Sequence, residues 1–307
     1  MSKESGVGRR DTRRRFEQWA QNPACEANTA SAILGVPMSE IARAEGSPAI
    51  FGQSPFALAR GQSFEAGLLR NGGERLLEAL IAAQVLPVGA NGLLDLRQRI
   101  HGGPMANLDE AIEATSRHFL ACAHPDPEQR PRQCLIAGAA LCLPGEMMLP
   151  EAVLVLDVLV VRRGSERTEL IVGEVKTYPD RGGHTDGEQL ATARAQAGAY
   201  AHGLELTLEG LGLAQQLEVA LHGFLVLSKP GSNLPSVRAG EDLRYQLERA
   251  RRGFELLRGL ARRLGRVPAD APRFVREAGT SYAETCVSFC ERASLCRERC
   301  ATSGDPA

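Results

Sequence analysis

Apolar residues between Pro55 and Val85 recur mostly every three or four positions (Leu58, Leu68, Leu69, Leu76, Leu77, Leu80, Ile81), which predicts helix, broken at the Asn71-Gly72-Gly73 turn. After a Pro-rich loop over His124–Pro131 the period changes. Three apolar segments of strand length follow in close order, Gln133–Leu143, Ala152–Val161 and Glu169–Thr177, each flanked by turn residues. The polar link Arg162-Arg163-Gly164-Ser165-Glu166 suits an antiparallel hairpin between the second and third. Helical spacing returns from about Asp186 to Gly203, a strand is predicted over Val219–Leu227, and a long amphipathic helix over Glu241–Leu264. The predicted order is αβββαβ, an α/β arrangement, followed by a helix and a cysteine-rich segment over 280–301. Residues 1–20 read as a charged tail leading into a short helix, and no internal repeat is present.

Three charges interrupt these apolar strands. Asp157 stands inside the second, and Glu174 and Lys176 inside the third, where a charge is costly unless it binds something. Side chains alternate along a strand, so Glu174 and Lys176 share a face. With the hairpin turning near Gly164, Asp157 falls opposite Val172 and diagonal to Glu174, within reach of one shared cation. Two carboxylates on adjacent strands supply hard oxygen ligands for magnesium or manganese, and a lysine beside them orients or deprotonates an attacking water, the equipment of phosphodiester hydrolysis. The plainer reading is a structural ion pair of Lys176 with Asp157 or Glu174 at a sheet edge. Gln196 and Tyr200, four apart on the following helix, project from one helix face.

The ordered set of Asp157, Glu174-x-Lys176 and Gln196-x-x-x-Tyr200 resembles the RecB-like family of PD-(D/E)XK nucleases. The resemblance implies a restriction-endonuclease-like αβββαβ core, with a central mixed sheet flanked by helices. It implies Asp157 and Glu174 as metal ligands and Lys176 as the catalytic lysine. Gln196 and Tyr200 would support the site or contact DNA. The family also places a metal-binding His four residues after a Gly on the helix before the sheet. Gly61-Gln62-Ser63-Phe64-Glu65 fits that position with Glu65 in place of the His, and a carboxylate is a competent ligand for a hard cation. The resemblance spans roughly Gly61 to Leu227 plus the cysteine ends; residues 86–130 match nothing in the family and read as an insert in a core over 55–230.

Eight cysteines in a chain with this much core point to metal or cluster ligation ahead of disulfides. Cys286, Cys290, Cys296 and Cys300 are separated by three, five and three residues, unlike the two close pairs of a zinc ribbon. The CRISPR-associated and AddB-type members of the family close an iron–sulfur cluster, of the 4Fe-4S kind, with one cysteine ahead of the nuclease core and three behind it, and Cys25 stands in the leading place. Their rear cysteines are separated by two and then five residues, so one interval matches here and one is longer. Two ligand sets stay open: Cys25 with three of the four rear cysteines, or the rear four alone. Such a cluster would tie the two ends of the chain together and add its binding energy to folding. Cys122, Cys134 and Cys142 lie in apolar segments and read as small core residues.

A length of 307 residues with 43% hydrophobic content suits one elaborated domain. The net charge of -1 leaves any DNA partner to be held by local basic patches. Arg244, Arg249, Arg251, Arg252, Arg258, Arg262 and Arg263, with Arg266 and Arg273 beyond, offer a phosphate stripe or a solvated face interleaved with Glu241, Glu248 and Glu255. No apolar run is long enough to span a membrane, and the Arg-rich start lacks a secretory pattern, so a cytoplasmic location is expected. The sequence therefore suggests a magnesium- or manganese-dependent deoxyribonuclease of repair, recombination or phage defence. Its partners would be single-stranded DNA or duplex ends and a helicase or other repair protein. A silent DNA-binding scaffold and a zinc-binding, non-nuclease module are the competing readings.

Overall fold

The computed structural model describes residues 12–47, 55–97, 108–132, 134–143, 153–164, 167–265 and 268–303. Most of the charged tail, residues 98–107 of the insert, Gln133, Ala152, Ser165, Glu166 and Arg266 lie outside the described residues. In chain order the elements begin with α1 (Thr12–Gln21), α2 (Glu26–Leu34), α3 (Met38–Ala44), α4 (Pro55–Leu68), α5 (Arg70–Ala82), β1 (Leu93–Asp95), α6 (Leu108–Cys122) and β2 (Leu135–Cys142). They continue with β3 (Val153–Arg163), β4 (Thr168–Pro179), α7 (Gly187–Gly210), β5 (Leu217–Val219), β6 (His222–Ser228), β7 (Pro235–Asp242), α8 (Arg244–Leu264), α9 (Ala271–Glu277) and α10 (Ala293–Ser303). The chain forms two compact units, one from 54–141 and 155–248, the other from the described parts of 1–53, 142–154 and 249–307.

A mixed seven-stranded sheet flanked by helices carries the first unit, in the order β1-β2-β3-β4-β6-β7 with β5 also paired to β4. β3 and β4 form the antiparallel hairpin that the polar link suggested. β4 and β6 run parallel, joined through α7, as a parallel pair requires. β3 is buried from Val153 to Val161 because both faces of the sheet are covered, so the strand reads as a continuous apolar run. On one face Phe64 and Leu68 of α4 and Leu76 and Leu80 of α5 pack with Val158, Val160, Ile171, Val175, Phe224 and Val226. On the other, Leu190 and Ala193 of α7 pack on Leu225 and Leu227. Gly173 makes room for the Phe224 ring: a Cβ there would lie 2.1 Å from it. The break expected at Asn71-Gly72-Gly73 is present: all three residues have positive φ, a kink near the start of α5 that divides α4 and Arg70 from the helix over 74–82.

The second unit is helical around a cysteine-rich segment. Asn28 Nδ2 reaches the carbonyl oxygens of Gln18, Trp19 and Asn22, satisfying acceptors that the end of α1 leaves open. Trp19 meets Phe254 of α8 edge-on, with centroids 5.5 Å apart, over Gly253. Ala250, Phe254, Leu257 and Ala261 form the buried stripe of α8 in this unit, spaced by three and four.

Several elements differ from the expected order. β1 and α6 occupy the region read as an insert, and the strand expected over Val219–Leu227 is divided between β5 and β6. β7 was not anticipated; apart from Glu241 its residues are half-buried or exposed, so the strand lacks a clear apolar alternation. Glu241 belongs to β7 and not to a solvated helix face: it is 7% exposed and accepts from Arg194 Nε at 2.6 Å and Arg238 Nε at 3.1 Å. Among the described residues, no helix is long and apolar enough to cross a membrane.

Candidate active site and cysteine cavity

The β3–β4 ladder pairs Val158 with Gly173 and runs on to Arg163 with Thr168. Val172 stands opposite Leu159, so the expected pairing of Asp157 with Val172 is corrected. The turn centres one residue later than Gly164, because Arg163 and Thr168 still pair and Gly164 N–H donates to Arg167 O at 2.9 Å. The shift is by two positions on β4, which preserves the face. Asp157 is 7% exposed, and its Oδ2 accepts the backbone N–H of Val175 at 3.1 Å, between Glu174 and Lys176. Glu174 is fully buried, and its Oε1 lies 2.7 Å from Lys176 Nζ. That ion pair is the one the plainer reading of the sequence named.

Glu174 pairs with Leu225 on β6, so it shares the face on which α7 packs. Gln196 and Tyr200 of α7 are buried, and Gln196 Oε1 has no hydrogen-bond partner among the described residues. Glu65 comes from α4, which packs on the opposite face, and meets the set at Asp157. The two carboxylates line one cavity of about 10 Å³ together with Val175 and Arg97. That volume suits about one water-sized occupant. As the side chains stand, no three His, Cys, Asp or Glu among the described residues gather as ligands for one metal ion.

Arg97 was not singled out in the sequence. Its Nε and Nη2 bond Asp95 at 3.0 and 2.7 Å, and Gly138 has no side chain to collide with its Cγ, which a Cβ there would approach to 2.8 Å. Burial raises the Asp95 carboxyl, but the side-chain and backbone hydrogen bonds from Arg97 and its charge outweigh that and hold it below the usual carboxylate range. The Asp-x-Arg spacing at the end of β1 was the available signal. Beyond Lys176 the strand end is pinned: Ser228 Oγ donates to Thr177 O at 3.1 Å, and Asp180 accepts from Ser236 Oγ at 2.6 Å and Thr185 Oγ1 at 3.2 Å.

In the second unit Cys25, Cys286, Cys290 and Cys296 line one cavity, with Asn22, Met38 and Phe289 among its other walls, and Cys300 is not part of the lining. Cys25 stands at the N-cap of α2, and Cys296 lies on α10. The Cys290 thiol is pushed up to about 12, chiefly by burial, with the neighbouring Cys286, Cys296 and Cys25 adding to the rise and the Arg292 backbone N–H opposing it. Four soft donors around one buried space match the chemistry of a soft-metal centre, and a multi-iron cluster spreads its ligands wider than a single ion does.

Comparison of the chain with protein-family profiles, with curated proteins and with solved structures returned no match.

Proposed function

We propose that the chain is a metal-dependent deoxyribonuclease similar to the RecB-like PD-(D/E)XK enzymes. The observation that carries the reading is the bond from Val175 N–H to Asp157 Oδ2, which fixes one buried carboxylate beside the Glu174-x-Lys176 segment. Glu65, Asp157 and Glu174 are hard oxygen donors, and the cavity shared by Glu65 and Asp157 is of a size for one small occupant. These residues would hold magnesium or manganese, which would supply Lewis acidity toward water and the scissile phosphate. Lys176 would offset the charge that develops on the phosphate. Gln196 and Tyr200 would back the Glu174 face, and Arg97, which lines the cavity, would meet a phosphate oxygen there. DNA, as single strands or duplex ends, is the proposed substrate, acting with a helicase or other partner in repair, recombination or phage defence.

Cys25, Cys286, Cys290 and Cys296 would hold an iron–sulfur cluster, with Cys300 outside the ligand set. Their common cavity and their soft sulfur donors support the fit. Bound there, the cluster would join the N-terminal helices to the C-terminal segment and add its binding energy to their association.

The second reading, a catalytically silent DNA-binding scaffold, draws on the Lys176–Glu174 ion pair at 2.7 Å, which serves a structural role equally well. Cleavage of labelled single- and double-stranded DNA with magnesium or manganese decides between them. Asp157→Asn and Lys176→Ala should each lose on the order of 100-fold or more in rate; equal rates in wild type and both variants would leave the scaffold. Anaerobic purification tests the cluster, with Cys300→Ser keeping its iron and Cys25→Ser losing it.

A further inference from the structure

Asn22, 8% exposed, follows α1 and precedes Cys25 by three residues. Its side-chain amide has two N–H donors. They reach Ser281 O at 3.1 Å and Cys286 Sγ at 3.4 Å, so both are used, and turning the amide over would set its oxygen against a carbonyl oxygen. Cys286 Sγ receives a second bond from the backbone N–H of Ala283 at 3.4 Å. Sulfur accepts weakly as a neutral thiol and strongly as a thiolate. Two donors thus converge on one buried sulfur.

From this geometry we infer that Asn22 sets the reduction potential of the centre that Cys286 helps to hold, an inference that rests on the cluster reading above. A hydrogen bond to a ligating sulfur draws electron density from it and stabilises the added electron, which raises the potential. Ala283 and Arg292 offer backbone N–H groups to Cys286 and Cys290 respectively, whereas Asn22 offers a side chain. Position 22 thus adjusts the potential without altering the ligand set. Asn22 is a positioning residue that acts through Cys286, and it makes the cysteine cavity an electron-responsive site as well as a clamp.

The test uses the full chain purified anaerobically, with iron and sulfide content measured beside a dye-mediated potentiometric titration. Asn22→Ala should shift the one-electron equilibrium toward the oxidised form by about tenfold, roughly the worth of one hydrogen bond, which corresponds to about 59 mV. Asn22→His, which retains a ring N–H, should recover part of that shift. An Asn22→Ala protein with full iron and sulfide and an unchanged potential overturns the inference and leaves the cluster reading standing. Wild-type protein without iron and sulfide overturns both. Should Asn22→Ala not retain iron, pulsed EPR of reduced wild type labelled with ¹⁵N-asparagine decides the matter: a ¹⁵N coupling supports the assignment, and its absence removes it.

Discussion

Arg292 donates Nε and Nη2 to the two carboxylate oxygens of Glu45 at 2.8 Å each, and its side chain is 1% exposed. The pair links the segment between Cys290 and Cys296 to the residue that ends α3. A buried guanidinium that loses its carboxylate is left desolvated, so Glu45→Ala should cost about 3–5 kcal/mol. Arg299, 55% exposed, also reaches Glu45 at 3.1 Å, and Arg299→Ala should cost at most about 1 kcal/mol because solvent already screens it. Denaturant midpoints of the two variants provide the comparison, and similar losses would contradict the difference in burial.

The Cys122 thiol on α6 is raised from the ordinary 9.0 to about 11 by burial, partly offset by the charges of Arg163 and Arg130. A raised thiol pKa means that the folded state holds its proton more tightly than the unfolded state. Its contribution to stability is therefore complete below pH 9.0 and is lost as pH rises through about 11. The stability gap between wild type and Cys122→Ala should narrow over that interval in urea titrations. A gap that is constant from neutral pH to pH 11 would show that the thiol titrates alike in both states.

What was legible in the sequence follows from locality. The hairpin of β3 and β4, the buried charges Asp157 and Glu174 and the half-buried Lys176 show through because strand alternation and apolar context act within a dozen residues. The pairing itself was two positions off, since the turn depends on where Arg163 and Thr168 stop pairing, which side-chain pattern does not encode. β7 escaped because half-buried polar residues carry no alternation, and the same ambiguity put Glu241 on a helix. The bond of Asn22 to Cys286 joins residues 264 apart, beyond any local period. The common cavity of Cys25 and three rear cysteines likewise depends on which sulfurs the folded chain brings together, a choice that spacing had left open.

Asp157 is held by backbone as well as by its charge, and two substitutions separate those roles. Asp157→Ala deletes the acceptor for Val175 N–H and should cost about 1–3 kcal/mol by leaving a buried donor unpaired. Asp157→Asn keeps an oxygen acceptor of the same shape and should stay near wild-type stability. On the proposed function both lose DNA cleavage. Denaturation midpoints and cleavage rates measured on the same preparations check the division, and an active Asp157→Asn protein would remove the carboxylate from the chemistry.

Lys176 lies 2.7 Å from the fully buried Glu174, and its ammonium does for that carboxylate what a divalent cation would also do. Lys176→Met takes away the positive charge and should destabilise the protein by about 3–5 kcal/mol, the cost of a buried charge deprived of its partner. If Glu174 is a metal ligand, manganese can replace part of the lost attraction, so the thermal midpoint of Lys176→Met should rise with manganese by more than that of wild type. Adding Glu174→Gln removes the charge that needed compensation. The double variant should therefore be more stable than Lys176→Met alone and respond less to manganese. A purely structural ion pair predicts the same losses in metal-free buffer and no manganese response in any of the proteins, so thermal melts with and without the cation distinguish a metal ligand from a buried strut.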